Sequence, residues 1–328
     1  MSIDPERRSA LLGLKLAALV KDHAGTAQIA ASTLPGGAAL TRLGEAWVLA
    51  DDKPHRILGP ALVWASRQST SGPLNILVES GAGIVARRAA AFTGDIRIWS
   101  VHGRALARAV AVPHSPAPPV AAEVLALSDD LAAAGADPVC EWGVLVGEVA
   151  GLEVCRAVVS AETGAATLAV GVGAHDREAF AMLHGDRPPL VALQGVVQAV
   201  APHRQPGAAP HALNRIATER LLRARLIEQP DIIGASALFV ADPPVARANV
   251  KDSVPCVATG TDLSGQAITV VCSVGIDLDL VPFAADARLR HGGRLVVVLP
   301  ERDAHAVTRQ LLGRLREPAQ LVTRPDQV

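Results

Sequence analysis

Pro113, Pro116, Pro118 and Pro119 fall within residues 112–120. Fixed φ angles and missing amide donors forbid a regular helix there, so the chain must build its folded parts on either side of this linker. Length requires a division as well. At 328 residues the chain exceeds the roughly 250–300 that a single hydrophobic core serves, so two or three compact parts are expected. Half of the residues are apolar, which places the chain among folded globular proteins. With four Phe, four Trp and no Tyr, its cores must be aliphatic.

The formal net charge of −1 excludes a general nucleic-acid coat protein, which carries a large positive excess, but leaves room for a local basic groove. The positive residues are nearly all Arg, with Lys only at Lys15, Lys21, Lys53 and Lys251. No run reaches 18 uninterrupted apolar residues, so no membrane span is expected. The start of the chain reads as an amphipathic helix without the features of a signal peptide, so the expected location is cytoplasmic. Cys140, Cys155, Cys256 and Cys272 make no CxxC pair and sit in or beside apolar runs, which reads as buried thiols in a reducing compartment.

In chain order, Asp4 and Pro5 open a helix through about Lys21, with Leu11, Leu12, Leu14, Leu16, Ala17 and Leu19 as its buried stripe. Strands are predicted at 45–49, 61–64 and 74–78, then a helix at 83–92, a strand at 96–99 and a short helix after Gly103. Beyond the linker come a helix at 121–134 and strands at 143–149, 152–159 and 167–172, an antiparallel meander running into another helix. A loop at 202–210 leads to a long helix at 213–229. The chain closes with a hairpin (255–259 and 268–273), a helix (280–289), a strand (294–299) and a helix (304–315). The expected domains are residues 1–111, a central module at 121–204, and residues 211–328.

The last block repeats the order of the first. Sliding residues 61–80 onto 254–273 without a gap aligns five identities in twenty, among them Ser71-Gly72 with Ser264-Gly265, and points to an internal duplication. The expected fold is therefore α/β (α+β), with two similar strand-strand-helix-strand blocks flanking a central antiparallel α+β module.

The order helix, three strands, helix, strand resembles the core of the PD-(D/E)xK superfamily, the restriction-endonuclease-like fold. That resemblance implies a metal site held by an acidic residue on the second core strand and a Glu-x-Lys on the third. Aligned this way, the third strand of the first copy ends Leu77-Val78-Glu79-Ser80 and that of the last ends Val270-Val271-Cys272-Ser273. Neither has the lysine, and Trp64 and Val257 lie near where the acid belongs. The implication is a non-catalytic binding or scaffold protein on degenerate nuclease-like folds, associated with nucleic acid. The whole chain also resembles an uncharacterised actinobacterial protein family, from which no function transfers.

The densest set of ionisable side chains lies in the centre. Glu148 and Glu153 flank a turn, Arg156 follows, and His175, Asp176, Arg177 and Glu178 close the third central strand. His211, Asn214, Arg215 and Glu219 open the long helix, with Arg215 and Glu219 at i and i+4. If Glu148, Glu153, Arg156, His175, Asp176, Arg177 and Arg215 converge on one accessible pocket, three readings are open. Carboxylates beside histidines suit a divalent cation or acid–base chemistry, the alternative function being a hydrolase or nuclease at this site. The arginines suit an anionic small molecule or nucleic acid. A helix start with Asp176 as its cap needs no ligand at all. No catalytic residue or cofactor is assigned, and self-association is compatible with the sequence. Asp277 and Asp279 read as caps of the following helix or as metal ligands. Arg220, Arg223 and Arg225 read as a solvated helix face.

Overall fold

The computed structural model of the chain describes residues 4–25, 31–160, 163–184, 187–246 and 254–324. It is an α/β (α+β) protein, with three sheets among the described residues.

Helix α1 (Pro5–Ala24) starts behind Asp4, whose carboxylate accepts from the Arg7 amide. Leu16, Leu19 and Val20 are buried, whereas Leu11 and Leu14 are exposed. The expected stripe was too wide, because 16, 19 and 20 share a helical face that 11 and 14 do not. Then come strands β1 (Ser32–Leu34), β2 (Gly37–Arg42) and β3 (Glu45–Ala50), helix α2 (Leu58–Ser66), strand β4 (Leu74–Val78), helix α3 (Ala82–Ala89) and strands β5 (Ile96–His102) and β6 (Ala105–Arg108). They form one six-stranded sheet in sequential order. β1, β2 and β3 are antiparallel, β3, β4 and β5 are parallel, and β6 folds back on β5. Two expectations are overturned here. Residues 61–64 belong to α2, in which Leu58 through Val63 are all buried, and a short, wholly apolar run carries no period to tell helix from strand. After Gly103 the chain forms a hairpin strand, not a helix.

The middle of the chain holds α4 (Ala122–Leu125), α5 (Ser128–Ala133), β7 (Asp137–Glu141), β8 (Val144–Val149), β9 (Leu152–Val159), β10 (Ala166–Val170), α6 (Ala174–His184), α7 (Pro189–Arg204) and α8 (Thr218–Glu228). β7 to β10 make the antiparallel meander predicted from sequence, extended by β7. Leu131, Leu193, Val197 and Val200 from α5 and α7 cover it with a core of aliphatic residues. The expected long helix is broken: residues 212–215 form a 3-10 turn, Ile216 is extended and Ala217 is left-handed at φ 51°. Arg215 and Glu219 therefore do not share a helix.

The last stretch holds β11 (Ala235–Ala241), β12 (Cys256–Asp262), β13 (Ala267–Cys272), α9 (Leu280–His291), β14 (Arg294–Pro300), α10 (Ala306–Leu312) and β15 (Ala319–Arg324). The five strands are again sequential, with β11, β12 and β13 antiparallel and β13 parallel to β14. β1-β2-β3-α2-β4-α3-β5 and β11-β12-β13-α9-β14-α10-β15 thus share one connectivity. The gapless 61–80 register is not the one that relates them, since it lays α2 on strand β12.

Each sheet falls within one of the expected domains, but the packing divides the chain differently. One compact unit comprises residues 1–114, 276–289 and 304–319, and the other comprises 115–275, 290–303 and 320–328. Most of α9 and all of α10 thus belong with the N-terminal sheet. In this first unit Leu16, Leu19 and Val20 pack with Leu40, Trp47, Leu49 and Leu77. In the second, Leu222 and Leu226 of α8 pack on β11 to β14. Cys155, Cys256 and Cys272 are buried as expected, whereas Cys140, on the outward side of β7, is exposed.

Candidate functional site

In the second unit, β8 and β9 meet in a two-residue turn, Ala150-Gly151, with both residues at positive φ. This geometry matches the strand twist and sets Glu148 directly opposite Glu153. Like charges in that position repel, and both carboxylates are almost inaccessible, at 3% and 1% exposure. They survive there because arginines meet them from three elements. Arg156 grips Glu153 through Nε at 2.9 Å and Nη2 at 3.1 Å, and Arg177 donates to it at 2.9 Å. Arg220 donates to Glu148 at 2.8 Å, with Arg223 at 3.5 Å. Both arginines of α8 also reach Glu141 on β7. Burial alone would weaken the Arg223 charge, but Cys256, Glu141 and Glu148 around it together outweigh burial and push its pKa up. Arg220 and Arg223, read from sequence as a solvated face, are instead buried links between α8 and the sheet.

Of the residues expected to converge, the structure brings together Glu148, Glu153, Arg156 and Arg177, and pairs them. The others lie elsewhere in chemical terms. The His175 side chain is 95% exposed and lies 3.9 Å from Glu178, itself exposed. Asp176 accepts from the Val172 amide at 2.6 Å, tying the strand end to the first turn of α6, so it acts locally. His211 accepts from the Leu213 amide and stacks on His203 with ring centroids 3.9 Å apart. Asn214 donates to the Ala209 carbonyl, Arg215 is exposed, and Glu219 is buried beside Thr218. Arg204 completes the region without a carboxylate, donating to the carbonyls of Ala150, Leu213 and Ile216, and burial pushes its pKa down to about 10. Among the described residues no group of three or more His, Cys, Asp or Glu side chains could hold a metal ion.

The first unit carries the cavity that the sequence did not point to. A cleft of about 940 Å³ opens where β3 ends, between the β1–β2 turn, the start of α1, residues 53–60 and residues 276–279. Arg8 binds Asp51 through two contacts at 2.6 and 2.8 Å, and Arg56 binds Asp277 at 2.8 Å. Behind them lies a buried network. Arg88, 1% exposed, donates to Asp279 at 2.9 Å, to Asp286 at 3.0 Å and to the His55 carbonyl at 2.7 Å. Arg87 makes a two-point contact with Asp286, and His114 lies 2.9 Å from it. Burial raises the pKa of Asp286, but the hydrogen bonds and charges of Arg87 and Arg88 outweigh it and hold that carboxyl below the usual range. Asp279 balances the other way: its Oδ2 has Arg88, its Oδ1 has no partner, and burial pushes the carboxyl up to about 7. Asp277, one of the two expected caps, does accept from the Asp279 amide just before α9.

The fold also moves the stretch that the expected nuclease resemblance would place on a third strand. The third strand of the first block is β3, not residues 74–78, and it runs directly into Asp51-Asp52-Lys53, an acid-x-Lys spacing. Glu79 follows the fourth strand and pairs with Lys15 at the surface. The signal was legible as Asp-x-Lys, but it was masked when α2 was taken for a strand. β2, which pairs with β3, carries no carboxylate, and β13 is followed by Ser273-Val274-Gly275, so neither block has the full set. No helix among the described residues is long and apolar enough to cross a membrane. Compared with family models, with curated proteins and with solved structures, the chain matches none.

Proposed function

We propose that the chain is a non-catalytic binding or scaffold protein, built on two nuclease-like sheets that arose by internal duplication. The observation that carries this is the pairing of Glu148 and Glu153 with four arginines at almost no solvent exposure. A catalytic carboxylate must reach a substrate or hold a proton near neutral pH, and these two are committed to guanidinium groups. The shared connectivity of the two end sheets supports the duplication. Partners in this reading are nucleic acid or an anionic small molecule. Fluorescence anisotropy with single- and double-stranded DNA and RNA oligonucleotides across a salt series tests the first, with binding that weakens as salt rises as the expected result.

A second reading is favoured by one observation, the Asp51-Asp52-Lys53 run in an open cleft. It makes the protein a hydrolase or nuclease whose site is in the first block and not in the centre. Metal-dependent cleavage lost on Lys53→Ala but kept in Glu153→Gln supports it. Loss in Glu153→Gln alone opposes it.

A further inference from the structure

A nucleic-acid strand asks two things of a protein surface: cations that meet its phosphates and flat groups on which its bases stack. The first unit brings both together on the face of its sheet that α1 covers. Trp99 of β5 and Arg108 of β6 are directly opposite in antiparallel register and so share that face. The Arg108 guanidinium lies over the Trp99 ring, 5.3 Å from its centroid, and a 3.0 Å hydrogen bond from Trp99 Nε1 to the Asn75 side chain fixes the ring. His23, in the last turn of α1, meets Trp99 edge-on with ring centroids 4.7 Å apart, and Trp47 lies 5.9 Å from it. Trp47 is buried and Trp99 half-buried, whereas His23 and Arg108 are exposed, so an imidazole and a guanidinium form the outer layer of an indole-backed stack.

The charges around this stack are unlike those of the buried networks. Nearby carboxylates are already engaged: Asp22 pairs with Arg104 at 2.6 Å, Asp95 with Arg97 at 2.6 Å, and Glu45 accepts from Trp47 Nε1 at 3.0 Å. Lys21, Arg42 and Arg108 have no ion pair among the described residues, Arg42 donating instead to the Ala24 carbonyl where α1 ends. A helix C-terminus favours cations, which accounts for Lys21 and Arg42 but not for Arg108, a strand residue set against a ring. Three uncommitted cations beside stacked rings make a local positive surface on a chain whose formal net charge is −1.

We infer that this face binds single-stranded nucleic acid, with bases stacked on His23 and on the Arg108–Trp99 pair and phosphates met by Lys21 and Arg42. The inference rests on the binding reading and deepens it by naming the surface and the kind of strand. A duplex satisfies the cations but offers no free base face to the rings. An acidic protein segment likewise supplies charge without bases, so the rings decide for a single strand.

The test is fluorescence anisotropy of the full chain with a labelled oligo(dT), an unstructured RNA and a duplex, all of one length, across a salt series. The single strands are expected to bind more tightly than the duplex. Arg108→Ala should weaken them by on the order of tenfold or more, the worth of one stacked base. Lys21→Ala, at a fully exposed position that keeps the test informative if Arg108→Ala does not fold, should lower the slope of log K against log salt by about 0.7. Arg309→Ala, which removes an exposed arginine of α10, should change nothing. Binding that Arg108→Ala and Lys21→Ala leave intact, or that Arg309→Ala weakens as much, overturns the surface while a nucleic-acid role elsewhere in the chain stands. Poly-glutamate that displaces oligo(dT) as well as unlabelled oligo(dT) does overturns the occupant in favour of an acidic protein. No binding of any strand overturns the inference and leaves the scaffold and anionic small-molecule readings. Cleavage of the oligonucleotides in the same samples sinks the non-catalytic reading, yet supports the surface when Arg108→Ala abolishes their binding.

Discussion

Removing Glu148 strips a buried site of half of its negative charge on the α8 side. In Glu148→Ala, Arg220 and Arg223 keep Glu141, and Arg220 keeps only a 4.0 Å contact to Glu153. Their side chains are 8% and 1% exposed, so water cannot take the place of the lost carboxylate. Breaking a buried ion pair from one side costs about 3–5 kcal/mol, because the remaining charge stays desolvated. If amide exchange in the second unit proceeds through its cooperative opening, that loss speeds exchange by roughly two to four orders of magnitude. Hydrogen-exchange mass spectrometry on peptides spanning 144–159 and 218–228 reads the effect, with peptides spanning 45–50 and 74–78 of the first unit as the reference. Glu148→Gln, which keeps the shape and one acceptor, is expected to fall between the wild type and Ala. Unchanged exchange in Glu148→Ala would refute the reasoning and return the cluster to consideration as a binding site.

His175→Ala removes an almost fully exposed side chain, so its midpoint of thermal unfolding should stay within about 1–2 °C of the wild type by calorimetry. Gly151→Ala would place a methyl group against the Arg220 backbone at a left-handed position, and the loss expected is about 2 kcal/mol or more, read from the same 144–159 peptides. Asp279 gives a pH dependence of known sign. Its carboxyl sits at about 7 in the folded chain, against an ordinary value near 3.9, so between those values the folded state holds a proton that the unfolded state has lost. Its contribution to stability is therefore greatest at the acid end of that window and falls as pH rises through 7. Beside it, burial and then the Arg88 charge hold His55 below its ordinary range. Asp279→Asn, a fixed copy of the protonated form, should gain on the wild type between pH 5 and pH 8 by an amount on the order of a few kcal/mol, read as a widening gap in unfolding midpoints. A constant gap contradicts the assignment.

Elements with a clear period or firm punctuation were legible in the sequence. Asp4-Pro5 marked the start of α1, alternation in 144–149 and 152–159 gave the central hairpin, and Gly-rich turns separated the strands around them. What failed failed for physical reasons. The run 58–65 carries no polar side chain, because Leu58 through Val63 of α2 are all buried, and such a run looks the same as a buried strand. From that single misreading came the wrong third strand, and with it the oversight of Asp51-Asp52-Lys53. The central cluster was legible as a set of side chains near one turn, since Glu148 and Glu153 follow from strand alternation. Its partners on α8 were not, because Arg220 and Arg223 lie more than 60 residues further along and an arginine on a helix gives no local sign of burial. Asp279 was harder still, for an orphan oxygen is a property of packing.

The most direct measurement is a cleavage assay with the full chain, Mg²⁺ or Mn²⁺, and linear duplex DNA, single-stranded DNA and structured RNA, run beside an Asp51→Asn/Lys53→Ala variant. A non-catalytic binding protein gives no product above that variant on any substrate. Cleavage by the wild type that disappears in the variant would contradict the proposal and make the first block an active nuclease.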